Sequence, residues 1–404
     1  MGNLLFEGLR VVDFGWVWAG TVLGHVLADY GAEVIKIESK RRLDGLRFGK
    51  VFELGEELEK NPFFHNLNRN KLSITVDFTK PEGEALIKAL VKKSDIVVEN
   101  FTPGILQKYG LDYKSLNKVK SDIIMISLSA TGQSGPLSQI VIYAPILSAL
   151  SGIDSMVGYP DDRPLGLKHA YADPTASLFG LFAVLSALRY RDRAGKGQYI
   201  DLSQCESIVG LIGEAILDYE MNGRIAGPVG NQSSIMGPHG IYPCKGEDKW
   251  VSIAIKTEGE WEAFCRVIGN PLWCKENDKF GDVYKRVSNA KELDKCIARW
   301  TLNYTDYEVA EILQNGGVAA TPVLSTDGIF LDPHFNERKV FVDVEHPLVR
   351  NTVVYNLPWK FNSLDPKPMR HAPLLGEHNE YVFKDILGLS TDEIDELVKG
   401  KVIN

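Results

Sequence analysis

Leu9-Arg10-Val11-Val12-Asp13-Phe14-Gly15 and Glu33-Val34-Ile35-Lys36-Ile37-Glu38 flank a stretch that carries Val22, Leu23, Val26 and Leu27 on one helical face. Both flanks are short, apolar and rich in β-branched residues, and Gly31 stands where a helix ends on a left-handed residue. Strand, helix and strand within about 30 residues make a βαβ unit, which implies parallel pairing. In an open α/β sheet, ligands bind beyond the carboxyl ends of the strands.

The same alternation continues along the chain. Leu72, Ile74, Val76 and Phe78 alternate with polar residues, as in a half-buried strand. Thr79 and Glu82 have the spacing of a capping box, with Pro81 in the first turn of a helix running to Lys93. Asp95–Glu99 and Asp122–Ser129 are further buried strands, followed by the turn clusters Asn100-Phe101-Thr102-Pro103-Gly104 and Gly132-Gln133-Ser134-Gly135-Pro136. Gln198–Leu202 is another strand, and Ser203 with Glu206 opens a helix through about Tyr219. Composition changes near Gly223. Gly240–Cys244 and Trp250–Ile255 then form a hairpin, and amphipathic helices follow around Trp261–Val267 and Ala290–Tyr304. The expected organisation is a large α/β domain over 1–225, a smaller α+β domain over 226–328, and a return segment, 329–404, that completes the first.

Several classes are excluded by composition. With 45 Lys and Arg against 53 Asp and Glu, the net charge of −8 provides no general field for nucleic acid or an anionic membrane. No apolar run approaches the roughly 18 residues a membrane span needs. The five cysteines are scattered without a CxxC pair, which fits a reducing compartment and argues against zinc. The expectation is a soluble cytoplasmic protein with no metal. A dinucleotide site is disfavoured too: the first turn reads Gly15-x4-Gly20-x3-Gly24, with Trp16 and Trp18 where backbone must approach a pyrophosphate. Glu38 nevertheless lies where a ribose-binding acid would.

His169-Ala170-Tyr171-Ala172-Asp173-Pro174-Thr175 precedes a long apolar segment in which Leu178, Phe179, Leu181, Phe182, Leu185 and Leu188 mark a helix expected to be buried. Asp before Pro is a helix-start signature, so the plain role of Asp173 is a cap, as at Asp332-Pro333 and Asp365-Pro366.

Taken in order, Leu9–Phe14, Gly31–Glu38, Asn68–Ser73, Asp95–Gly104, Gly132–Pro136, Tyr171–Thr175, Gly195–Gln198, Asp332–His334 and Ala372–His378 resemble the class III CoA-transferases. That family includes formyl-CoA transferase and crotonobetainyl-CoA:carnitine CoA-transferase. The resemblance implies a Rossmann-like large domain built from both chain ends, a small domain, and two chains threaded as interlocked rings. It also implies that Asp173 attacks an acyl-CoA carbonyl and passes through a mixed anhydride and an aspartyl-CoA thioester. A coenzyme A thioester is then a substrate, with no permanently bound cofactor.

By the same resemblance Trp18, Ala19, Val76, Thr79, Asn100, Phe101, Thr102, Lys108 and Tyr143 are CoA-binding positions. Trp16, Trp18, Tyr143, Gly237, His239 and Gly240 are expected around the substrate, the last three as a shortened glycine loop. Lys108 and Ser39 stand where formyl-CoA transferase has arginines, and Lys40, Arg41 or Arg42 could cover the second. The two tryptophans favour a bulky acceptor acid. Gly158–Gly166, followed by His169–Pro174, resembles succinyl-CoA:benzylsuccinate CoA-transferases, whose two subunits are homologous. The partner is therefore a second copy or a related chain. Two alternatives stay open: a CoA-binding non-catalytic subunit, and an acyl-CoA racemase or isomerase of the same fold. Tyr143 occupies the position of the racemases' histidine, which disfavours racemisation.

Overall fold

The computed structural model describes residues 4–48, 58–275, 278–364 and 369–403; Asp365-Pro366 lies outside them. The chain divides into two compact units. One contains the chain up to Asp154, Gly166–Arg224 and His334 onward; the other contains Ser155–Leu165 and Ile225–Pro333. Residues 155–165, assigned to the large domain from sequence, thus belong to the second unit.

The first unit is built on β1 (Arg10–Asp13), β2 (Glu33–Glu38), β3 (Leu72–Thr75), β4 (Ile96–Glu99), β5 (Ile124–Ser129) and β6 (Tyr199–Ser203). They form one parallel sheet in the order β3-β2-β1-β4-β5-β6. Both faces are covered, which is why the strands read as near-continuous apolar runs. Val12, Ile35, Ile74 and Val97 pack on one face, and Val11, Val34, Ile96 and Ile126 on the other. Val382, Phe383, Ile386, Val402 and Ile403 close the first of these cores, so the end of the chain completes this unit. The order reverses between β1 and β4, and their carboxyl ends open the crevice where such sheets take ligands.

In the second unit β7 (His239–Pro243), β8 (Trp250–Ala254) and β9 (Ala319–Pro322) form an antiparallel sheet in that order. Its core gathers Trp261, Phe264, Leu293, Ile297 and Leu313 from the helices Glu258–Val267, Ala290–Thr301 and Asp306–Asn315. Complete capping boxes, Thr257 with Glu260 and Thr305 with Glu308, start two of these helices.

Three local expectations change. Thr79 and Glu82 form no capping box: Asp77 takes the Thr79 amide at 3.2 Å, and the helix begins at Pro81 behind Lys80. The helix after Ser203 breaks into Gln204–Val209 and Gly213–Asn222 around a tight turn at Gly210–Ile212. A hairpin of β10 (Phe341–His346) and β11 (Arg350–Tyr355) in the return segment was not anticipated.

Candidate active site

Asp173 is not the cap of its own helix. The helix spans Ala172–Ala194 and follows Tyr171, so Asp173 sits inside its first turn. Pro174 is tolerated there because the first turn's amides have no helical partner to lose. The Asp173 carboxylate instead accepts from the backbone N–H of Ala19, the first residue of the helix Ala19–Asp29. It therefore faces the positive end of a second helix. One turn on, Ser177 Oγ lies 2.7 Å from both the Ala19 and Asp173 carbonyls, tying the two helix starts together. Burial pushes the Asp173 carboxyl up to about 6, against the Ala19 N–H, which lowers it. At neutral pH it is ionised, yet more basic than an ordinary carboxylate.

The loop that carries Ala19 is held almost atom by atom. Gly15 N–H donates to Asp13 at 2.7 Å, and the Gly15 carbonyl accepts from Lys36 Nζ at 2.6 Å. Asn100 makes a reciprocal pair with Trp16, accepting from its N–H and donating to its carbonyl, both at 2.8 Å. Val17 N–H donates to Asp44 at 3.1 Å. Val17 has φ +57°, a left-handed conformation that a β-branched residue adopts only under constraint. These holders are themselves paired in the interior: Lys36 with Asp44 at 2.8 Å, and Lys71 with Asp13 at 2.7 Å. Burial depresses Lys71 to about 8, although Asp13 opposes it. Burial works against the charge on Lys36 as well, but Asp44, Glu38 and Asp13 outweigh it and raise its pKa. Gly15 and Gly24 have no room for a side chain: a Cβ would meet Asp13 oxygens at 2.6 and 2.7 Å.

Beside this loop a cleft of about 360 Å³ opens at the carboxyl ends of β2, β3 and β4. Trp16, Val76, Phe78, Phe101 and Tyr109 supply its apolar and aromatic walls, and Arg41, Arg42 and Lys108 its positive charge. The Arg42 guanidinium lies over the Trp16 ring at 4.9 Å, and Phe101 meets that ring edge-on at 5.4 Å. Arg41 pairs with Asp77 at 3.1 Å. Phe101 is anchored through its N–H, which donates to Glu99 at 2.8 Å; burial pushes the Glu99 carboxyl up to about 7. The cleft can receive a flat ring and phosphates together.

Of the residues singled out from sequence, Trp16, Val76, Thr79, Phe101 and Lys108 line this cleft. Asn100 and Ala19 are not among its lining residues: Asn100 clasps Trp16, which is, and Ala19 meets Asp173 through its N–H. Trp18 turns away and packs on Phe63 at 5.2 Å, beside Val22, Leu46 and Phe64. Thr102 is exposed in the turn after β4, where its carbonyl accepts from Ile105 N–H at 3.2 Å. Tyr143 is 74% exposed ahead of the helix Ala144–Leu150 and does not line the cleft. Gly237, His239 and Gly240 lie in the second unit. There His239 and Gly240 line a separate cavity of about 380 Å³, and His239 Nδ1 lies 2.7 Å from the Asn231 carbonyl. Arg41 and Arg42 joined the cleft from a basic run, whereas Asp13, Lys36, Asp44 and Lys71 were missed. Glu38 is not free for a ribose: Arg47, itself buried, grips it at 2.7 Å. Among the described residues no group of His, Cys, Asp and Glu is placed to hold a metal, and no helix is long and apolar enough to cross a membrane.

Comparison with known proteins agrees across both units. The profile of the family described as CoA-transferase family III matches residues 6–379. Succinyl-CoA–D-citramalate CoA-transferase of Chloroflexus aurantiacus is 33% identical over 98% of each chain. The beta subunit of succinyl-CoA–L-malate CoA-transferase of the same organism is 32% identical over 99% of this chain and 98% of its own. A probable CoA-transferase of Mycobacterium tuberculosis is 32% identical over all of this chain, which spans 51% of that protein's length. The crystal structure of a CAIB/BAIF family protein from Brucella suis superimposes with a TM-score of 0.86 at 30% identity, covering 95% of this chain and 100% of that one. The match runs through the βαβ start, the Asp173 turn and the second unit alike: the chain belongs to CoA-transferase family III and is an enzyme of that transferring class.

Proposed function

We propose that the protein moves coenzyme A from an acyl-CoA donor, succinyl-CoA, to an acceptor carboxylic acid, with Asp173 as nucleophile. The observation that carries this is the Asp173 carboxylate on the Ala19 N–H at a helix start, half-withdrawn from water and raised to about 6. A carboxylate oxygen attacks the thioester carbonyl, the C–S bond breaks, and the CoA thiolate leaves an aspartyl mixed anhydride. The thiolate then attacks the Asp173 carbonyl carbon and releases the donor acid, giving an aspartyl-CoA thioester. An acceptor carboxylate runs the same steps in reverse, so one hard exchange becomes two easier ones. Each attack on the Asp173 carbonyl places negative charge on its oxygen. The Ala19 N–H and the helix behind it are fixed in advance to receive that charge.

The nucleotide end of CoA is assigned to the cleft: Phe101 and Trp16 flank the ring, and Lys108, Arg41 and Arg42 meet the phosphates. Succinyl-CoA as donor follows the names of the citramalate and malate relatives. For the acceptor we favour a carboxylic acid with a bulky apolar body, benzylsuccinate among them. Tyr143 and the Gly237-Pro238-His239-Gly240 segment are assigned to the acyl end. Helix Ala172–Ala194 exposes Leu178, Phe179, Phe182 and Leu185, with Phe182 at 73%, an apolar row unusual on a lone chain. A second chain threaded as an interlocked ring would cover it. That chain is a copy, or a homologous subunit like those of the malate relative.

Intact-protein mass spectrometry after succinyl-CoA and then hydroxylamine tests the nucleophile. An adduct mapped to Asp173, absent in Asp173→Ala, is expected. If no adduct forms with any acyl-CoA, even with a homologous subunit added, the covalent route is wrong.

A further inference from the structure

Away from the cleft, three imidazoles from separate parts of the first unit meet beside the hairpin of β10 and β11. His65 lies on the helix Pro62–Asn68, His346 ends β10, and His371 precedes Ala372 in the return segment. The His65 and His346 rings stack with centroids 4.1 Å apart, and His371 meets His346 edge-on at 5.2 Å. His65 and His346 are buried, and His371 is half-buried.

Hydrogen bonds fix which nitrogen carries the proton. His346 Nδ1 accepts from the N–H of Leu348, in the hairpin's turn, at 3.2 Å, so a neutral His346 is protonated on Nε2. His65 Nε2 lies 2.8 Å from the Glu59 carbonyl and must donate to it. That leaves His65 Nδ1 bare, 3.5 Å from the Thr352 hydroxyl of β11. Both bare nitrogens therefore face donors of the hairpin.

We propose that the stack is an acid-sensitive latch, which holds the hairpin against the helix Pro62–Asn68 while its rings are neutral and releases it when they take up protons. A proton on His346 Nδ1 sets donor against donor at Leu348, and a second charged ring would lie 4.1 Å away. The surroundings give little compensation. Arg69 and Arg47 have the wrong sign and are already engaged, by Asp29 and by Glu38 and Glu59. Arg350 stands opposite His346 across the hairpin, while Asp343 and Glu345 are exposed on its other face. Arg370 and His378, near His371, add no negative charge. Among the described residues Glu377 alone reaches one of the three rings, His371, at 3.7 Å. Asn66 also clasps β11, donating to the Val353 carbonyl at 3.3 Å and accepting from Tyr355 N–H at 3.1 Å, but those bonds do not titrate.

Burial, and then the His65 and His371 rings, hold His346 down at about 4, and burial lowers His65 as well. Freed rings take a proton near the ordinary value of 6.5. The latch is thus undisturbed above that value and is opposed increasingly as pH falls toward 4, about tenfold per unit for each ring. The helix Pro62–Asn68 packs in turn on Gly45–Arg47, so release bares the outer end of the buried pairs beneath the active-site loop.

Hydrogen exchange of the full-length protein at pH 7.5 and pH 5, corrected for the intrinsic pH dependence of exchange, tests this by mass spectrometry. Protection over residues 341–355 should fall at least tenfold at pH 5, while β4 and β5 keep theirs. His346→Asn keeps an acceptor for Leu348 but cannot be charged, so its fall should be clearly smaller. If that variant's hairpin is already open at pH 7.5, His65→Gln, which keeps a donor for Glu59, is judged by the same criterion. Unchanged protection in wild type would overturn the latch. So would a loss shared equally with β4 and β5, or a fall as large in the variant as in wild type.

Discussion

Asp173→Asn should make the protein more stable while abolishing its chemistry, and the gain should depend on pH. The wild-type carboxyl is raised from 3.8 to about 6 because burial disfavours the charge. A raised carboxylate favours folding least where it must ionise. Its penalty is absent below the unfolded value, grows as pH rises, and is complete above the folded value. A shift of about two units at about 1.4 kcal/mol each amounts to roughly 3 kcal/mol at pH 8, and to about 0.5 kcal/mol at pH 4. Asparagine keeps an oxygen to accept from the Ala19 N–H but carries no charge, so it removes the penalty and retains the bond. Urea unfolding of both proteins at one protein concentration, at pH 8 and pH 4, reads the difference directly. The variant should lead at pH 8 and converge on the wild type at pH 4. A variant that is no more stable at pH 8, or whose lead persists unchanged at pH 4, would refute the account of Asp173 as a carboxylate ionised against its surroundings.

The remaining expectations concern the loop and the cleft. In wild type, kcat/KM should fall about tenfold per pH unit below about pH 6, as Asp173 takes up a proton, and hold level above that value in a stopped thioester assay. Lys108→Ala should raise KM for the acyl-CoA about tenfold with little change in kcat, and Lys108→Arg should restore it; an effect confined to kcat would remove Lys108 from the phosphate site. Asn100→Ala leaves the N–H and the carbonyl of Trp16 without their partner, for a loss of about 2–4 kcal/mol in urea unfolding and a lower kcat; unchanged values would show that the loop needs no clasp. Glu99→Gln removes a carboxyl that burial raises to about 7, so its stability relative to wild type should increase as pH rises from 5 to 8, and a flat difference would count against that burial.

The parallel sheet could be read from the sequence because its strands are buried on both faces. Val11-Val12, Val34-Ile35 and Ile96-Val97-Val98 therefore carry no polar interruption. The hairpin of β10 and β11 was not legible for the opposite reason: Asp343, Glu345, Arg350 and Asn351 leave too little apolar alternation over one short stretch. Asp173 illustrates a different limit. Asp-Pro marks a helix start, but nothing local distinguishes an aspartate that caps its own helix from one that reaches across to Ala19, 154 residues earlier. The same holds for Asp13, Lys36, Asp44 and Lys71, scattered charges that look like surface residues until the fold brings them under one loop. Their burial explains Val17. A β-branched residue at φ +57° costs on the order of 1–3 kcal/mol and persists only where its surroundings leave it no alternative. Side-chain bonds to Gly15, Trp16 and Val17 supply that constraint, and they end one residue before the Trp18-Ala19 step that presents the amide to Asp173. A nucleophile whose carbonyl must carry transient negative charge needs that amide in place before the reaction begins. The buried ion pairs are thus the structural counterpart of Asp173: they hold the peptide against which its chemistry would occur.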